Sequence, residues 1–158
     1  MPQSGTICIS LEDPFSAMCA QLIAELSAEL GALYGGDGAG AFTPADVAVP
    51  RAAFIVAWLD DEPVGCGALR PMEADGIAEI KRMYVRPSAR GKGLSRHILW
   101  KLEALARNYG YTRVWLETGT RQREALGLYE TSGYRRMDCY GQYANEPLSV
   151  CFEKNLLE

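Results

Sequence analysis

Apolar and polar residues alternate from Thr6 to Leu11, with Ile7, Ile9 and Leu11 on one side, and this period of two predicts a first strand. The period then lengthens. Phe15, Met18, Leu22, Leu26, Leu30 and Leu33 recur at helical spacing behind Asp13-Pro14, a capping carboxylate and a proline whose missing N–H is dispensable in a first turn. Gly35-Gly36 ends this helix, residues 35–40 read as a mobile glycine-rich loop, and residues 44–50 add a short helical turn. Strand patterning resumes at 54–59 and 63–69, joined by Asp60-Asp61-Glu62 as a hairpin, and continues in a longer segment at 76–85. Leu94, Ile98, Leu102, Leu105 and Ala106 mark a second long helix ending near Gly110. A strand at 114–117 follows, then a short helix carrying Ala125, Leu128 and Tyr129 and closed by Gly133. Strands at 134–137 and 149–152 finish the chain, with a Tyr-rich loop between them.

That order predicts a mixed sheet covered by helices, an α/β (α+β) arrangement in a single domain of 158 residues. The strand–helix–strand crossover from Val85 to Val114 makes those two strands parallel. A helix N-terminus at the end of such a strand is where phosphates are commonly held.

Composition narrows the function classes. The chain is 48% hydrophobic, and no apolar run approaches the roughly 20 residues of a membrane span. The first five residues show neither a basic patch nor an apolar stretch, so no secretion signal is read there. The five cysteines are scattered without a Cys-x-x-Cys pair, which argues against a disulfide framework and a zinc site and fits a reducing cytoplasm. His97 is the only histidine; no metal is expected, and His97 itself is read as a surface residue. A net charge of −4 disfavours general binding to nucleic acid or an anionic membrane. The positive charge is nevertheless uneven, with Lys81, Arg82, Arg86, Arg90, Lys92 and Arg96 in one short stretch. It is either a solvated basic face or a local anion site.

The segment 85–95 leaves a strand and enters a helix. Pro87 stops the strand, and Gly91 and Gly93 remove side chains where backbone N–H groups would approach an anion. A P-loop would need glycine at Arg86 and Ser or Thr at Gly93, and a dinucleotide fingerprint would need glycine at Arg96. Both patterns fail on those residues. What remains is an anion-holding loop or a turn that needs its glycines only for shape.

Val85 followed by Arg90-Gly91-Lys92-Gly93-Leu94-Ser95 resembles the central motif of the GNAT N-acetyltransferase superfamily, Gln/Arg-x-x-Gly-x-Gly/Ala after a strand, with Ser95 at the last small position. Ala125-Leu126-Gly127-Leu128-Tyr129-Glu130 with Gly133-Tyr134 is similar to that family's Ala-x-x-Leu-Tyr-Glu helix, and Gln122 stands where Asn is common. With the strands around them, the two motifs cover roughly residues 54–155. The resemblance implies a mostly antiparallel sheet with a central parallel, splayed strand pair, flanked by helices. It implies acetyl-CoA as co-substrate, with main-chain groups of Met83 and Val85 on the pantetheine arm and the N–H groups of Gly91, Lys92, Gly93, Leu94, Ser95 and Arg96 on the pyrophosphate. A main-chain N–H near Met83 or Tyr84 would stabilise the oxyanion, and Gln122 would complete the cofactor site.

The amine must be neutral to attack, and alkyl ammonium groups ionise near ~10, so a base is needed. Glu79, six residues before Val85, is the first candidate, and Glu117 is its rival; a strand carboxylate paired with Lys81 or Arg82 is the other reading of Glu79. By motif position Tyr129 donates the proton that the departing thiolate takes. Tyr140 and Tyr143 either line the acceptor site or close the sheet. The expected acceptor is the amine of a small molecule, with Lys81 and Arg82 leaving room for one bearing a carboxylate. A peptide acceptor and a CoA-binding sensor without turnover are the alternatives, and a homodimer is a possibility carried by resemblance alone.

Overall fold

The computed structural model describes residues 5–38, 40 and 42–157. Ala39, inside the glycine-rich loop, and the first four residues lie outside that set. Seven strands form one sheet in the order β1-β2-β3-β4-β5-β7-β6. They are β1 (Ile7–Leu11), β2 (Ala53–Leu59), β3 (Glu62–Pro71), β4 (Ile77–Val85), β5 (Arg113–Gly119), β6 (Arg135–Met137) and β7 (Ser149–Asn155). Every neighbouring pair is antiparallel except β4 and β5, the pair joined by the helical crossover. No described helix is long and apolar enough to cross a membrane.

Helix α1 (Ala17–Tyr34) covers one face of the sheet, placing Cys19, Leu22 and Leu26 against Phe54, Val56, Cys66 and Ala68. Its start differs from the expected Asp13-Pro14. The Asp13 carboxylate accepts from the Phe15 N–H at 2.9 Å, closing a turn ahead of the helix, and Ser16 caps it by accepting from Cys19 N–H at 3.2 Å. Phe15 is consequently 60% exposed rather than part of the apolar face. The other end is as expected, with Gly35 in the left-handed region and its N–H bonded to Gly31 O.

Helices α2 (Leu94–Asn108) and α3 (Arg123–Thr131) serve the opposite face. The packing is close enough that a Cβ at Gly67 would stand 2.8 Å from Ile98 Cγ2 and 2.9 Å from Leu102 Cδ1, so a larger residue would push α2 off β3.

Two irregularities shape the sheet's centre. Pairing between β4 and β5 runs from Ile77↔Arg113 to Ile80↔Leu116 and stops, although β4 continues to Val85 and β5 to Gly119. The strands therefore part. Just beyond the last rung, β4 is bulged: Cys66 faces Tyr84 and Ala68 faces Lys81, so Arg82 and Met83 share the single position opposite Gly67. Arg82 holds a left-handed φ of 55°, costly for a residue with a side chain, and its guanidinium is tied to Ile23 O, Ser27 Oγ and Gly38 O.

One expectation from the cysteines fails. Cys139 and Cys151 form a disulfide, with their Cα atoms 5.1 Å apart. The β6–β7 pairing places Met137 opposite Cys151 and so brings Cys139 within reach, which linear spacing does not reveal. Cys8, Cys19 and Cys66 are free thiols.

Candidate active site

Where β4 and β5 part, a cleft of about 1190 Å³ opens between α1, the two strands and the N-termini of α2 and α3. At one end sits the loop 90–96. Gly91 and Gly93 have φ of +82° and +80°, and a Cβ at either would meet nothing within 4 Å. Their role is thus backbone conformation and an open approach, not packing. The backbone N–H groups of residues 91–96 donate to no described residue; the next, His97 N–H, bonds Gly93 O at 3.2 Å. Six successive unbonded donors at a helix start could hold an anion.

Side chains of this stretch are less available than their charges imply. Arg90 Nε donates to Val85 O at 2.8 Å and its Nη2 to Glu29 at 2.6 Å, so it closes over the end of β4. The Val85 carbonyl keeps a second lone pair for a ligand. Arg86 is held by Glu25 at 2.9 Å, and Arg96 ties α2 to Ser132 and Thr131. Lys92 is exposed and lies off the cleft wall, whereas Met83, Tyr84, Val85, Ser95 and Arg96 line it. Gln122 also lines the cleft, but its Oε1 accepts from Gly119 N–H at 2.9 Å and closes the β5–α3 turn. His97 is exposed, with Nδ1 2.8 Å from Gly93 O.

Deeper in, Tyr129 projects from α3 and is 4% exposed, its ring packed 5.7 Å from both Tyr134 and Phe152. Its hydroxyl has no hydrogen bond to any described residue, and the residue lines the cleft. Burial raises its pKa, so the phenol stays protonated and can donate.

The two candidate carboxylates part company here. Glu79 is 1% exposed and lies off the cleft wall. Its Oε1 takes Arg70 Nε at 2.8 Å and Nη2 at 2.7 Å, while Oε2 accepts from the Tyr140 hydroxyl at 2.7 Å. Its ionic partner is thus Arg70, its cross-strand neighbour, rather than Lys81 or Arg82. Arg70 also bonds Asp46, and Tyr140 stacks on Trp115 at 5.0 Å. Glu117 lines the cleft and accepts from Ser149 Oγ at 2.6 Å. Desolvation raises its pKa, against the lowering effects of the Ser149 hydrogen bond and the Lys81 charge, while Glu79 and Glu146 raise it further. Tyr143 lines the cleft and accepts a hydrogen bond from Lys81 Nζ. The two loop tyrosines therefore take different parts: Tyr140 closes the sheet and Tyr143 forms cleft wall. Sequence reasoning missed Arg70, Asp46 and Ser149; only the Arg70↔Glu79 register could have shown the first, since it needs the β3–β4 bulge placed.

A parallel strand pair that opens over a phenol, with unbonded N–H groups at its mouth, is the arrangement that the resemblance to the GNAT superfamily implies for an acyl-CoA-dependent N-acyltransferase. The Acetyltransferase (GNAT) family matches residues 20–134, and the chain belongs to that family. It is 36% identical over 150 residues to the IAA acetyltransferase of Azospirillum brasilense, covering 95% of this chain and 98% of that protein. Among solved structures, one from Klebsiella pneumoniae named as an acyl-CoA N-acyltransferase has a TM-score of 0.80 and 33% identity, over 95% of this chain and 97% of that one. A GNAT family acetyltransferase from Elizabethkingia anophelis with acetyl-CoA bound shares the fold, with a TM-score of 0.68 at 20% identity over 94% and 97% of the two chains.

Proposed function

We propose that the protein transfers an acetyl group from acetyl-CoA to the primary amine of a small molecule, by direct attack with both substrates bound. The observation that carries this is the parted strand pair, whose opening joins the six unbonded N–H groups of residues 91–96 to the Tyr129 hydroxyl and Glu117. Bound acetyl-CoA supplies the activated thioester. The chain's residues do the rest. The 91–96 N–H groups hold the pyrophosphate, and main-chain groups of Met83, Tyr84 and Val85 pair with the pantetheine arm as a strand would.

In this reading Glu117 is the base, because it faces the cleft and its raised pKa brings it closer to the amine's. Glu79, with both oxygens engaged, positions the wall behind it and adds negative potential. Tyr129 gives its proton to the departing sulfur, as a phenol whose ring is fixed by packing and which burial keeps protonated. The similarity to an IAA acetyltransferase supports a small-molecule acceptor. The test is free-thiol release from acetyl-CoA across a panel of amines, amino acids and peptides. Turnover with small amines is expected, and turnover confined to peptides would displace this reading.

A further inference from the structure

Donor binding and proton transfer leave Lys81 unused. Pairing of β4 with β5 ends at Ile80↔Leu116, so Lys81 and Glu117 stand where the next rung would be, one on each lip of the opening. Both line the cleft. The Lys81 ammonium donates to a neutral partner, the Tyr143 hydroxyl, and lies 5.0 Å from that ring's centroid. No carboxylate oxygen of a described residue is within 4.0 Å of it.

Nearby arginines differ. Arg70 is paired with Asp46 and Glu79, Arg86 with Glu25, and Arg90 with Glu29. Arg82 reaches back to α1. Lys81 is half-buried, so its charge is partly desolvated without a counter-charge in contact, and an incoming anion would be favoured there. The Tyr143 hydroxyl donates to no described residue, which leaves its proton for the same anion.

We infer that the acceptor is an amino carboxylic acid, its carboxylate held by Lys81 and Tyr143 and its amine turned toward Glu117. The inference rests on the amine acetylation proposed above and names its substrate class. The two lips carry opposite charges, so a molecule bearing both an amine and a carboxylate engages both. A plain amine engages only one.

The experiment compares matched pairs in the thiol-release assay, phenylalanine with phenethylamine and alanine with ethylamine, with kcat/KM corrected for the neutral-amine fraction. The acids are expected to be favoured at least tenfold, the low end for a charge-assisted hydrogen bond. K81M should cost the acids on the order of 10–100-fold and the plain amines several-fold less, and K81R should recover most of the loss. Equal use of acid and amine by the wild-type enzyme overturns the inference and leaves amine acetylation standing. Turnover of neither, with acetyl-CoA binding intact by calorimetry, overturns both. The wild-type ratio decides the matter even where K81M fails to fold.

Discussion

Tyr129 packs its ring in the core and lines the cleft, and its hydroxyl has no partner among the described residues, so the hydroxyl is free for the proton donation proposed above and adds no contact that holds the fold. Tyr129→Phe should therefore cut kcat on the order of 100-fold while leaving acetyl-CoA affinity by calorimetry, and the melting temperature, essentially unchanged. Glu117 offers a separate handle through pH. Its pKa is raised in the folded protein, so its carboxyl favours folding below the ordinary glutamate value near ~4.3, and that advantage is lost as pH rises through the raised value. Glu117→Gln should raise the melting temperature at pH 7–8 and lose this benefit below about pH 4, measured by thermal scans. The same variant should lose the acid limb of the kcat/KM profile. Such roles were only half legible in the sequence. Motif position singles out Tyr129, which the structure places on the cleft wall, but choosing between Glu79 and Glu117 requires knowing which one Arg70 and Tyr140 engage, and those contacts join segments far apart in the chain.

At the scale of elements, the role proposed for the loop 90–96 is one for its backbone, so its test is a backbone one. Gly91→Val would force a branched side chain into φ +82° and set it over the unbonded N–H groups. Acetyl-CoA affinity by calorimetry should fall at least tenfold, a loss of about 1.4 kcal/mol, with little change in stability beyond local strain. This element was readable because glycine spacing encodes conformation directly. The helix starts were less so: Asp13-Pro14 and Ser16 are all competent caps, and only the burial of Cys19 and Leu22 decides for Ser16. The bulge at Arg82 left no local signal either. It depends on Gly67 opposite and on α1 receiving the guanidinium, both outside the strand that bends.

On the scale of the whole molecule, the Cys139–Cys151 bridge ties the loop carrying Gln142, Tyr143, Glu146 and Leu148 to β7, and those four residues line the cleft. Closing a loop with a sequence separation of 12 removes unfolded-state freedom worth about 2–3 kcal/mol. Urea unfolding with and without dithiothreitol should show that loss, and reduction should raise KM for the amine more than KM for acetyl-CoA. Cys139→Ser serves as the control and should be insensitive to the reductant. The sheet itself has a matching property. Beyond Ile80 and Leu116 its two central strands turn peptide groups toward a space that no other strand fills. A molecule seated there acts as a missing strut, and its binding energy adds to the folding free energy, about 2.7 kcal/mol at a hundredfold excess over Kd. With acetyl-CoA as that molecule, resistance to thermal unfolding and to added protease should rise together as the ligand is titrated in.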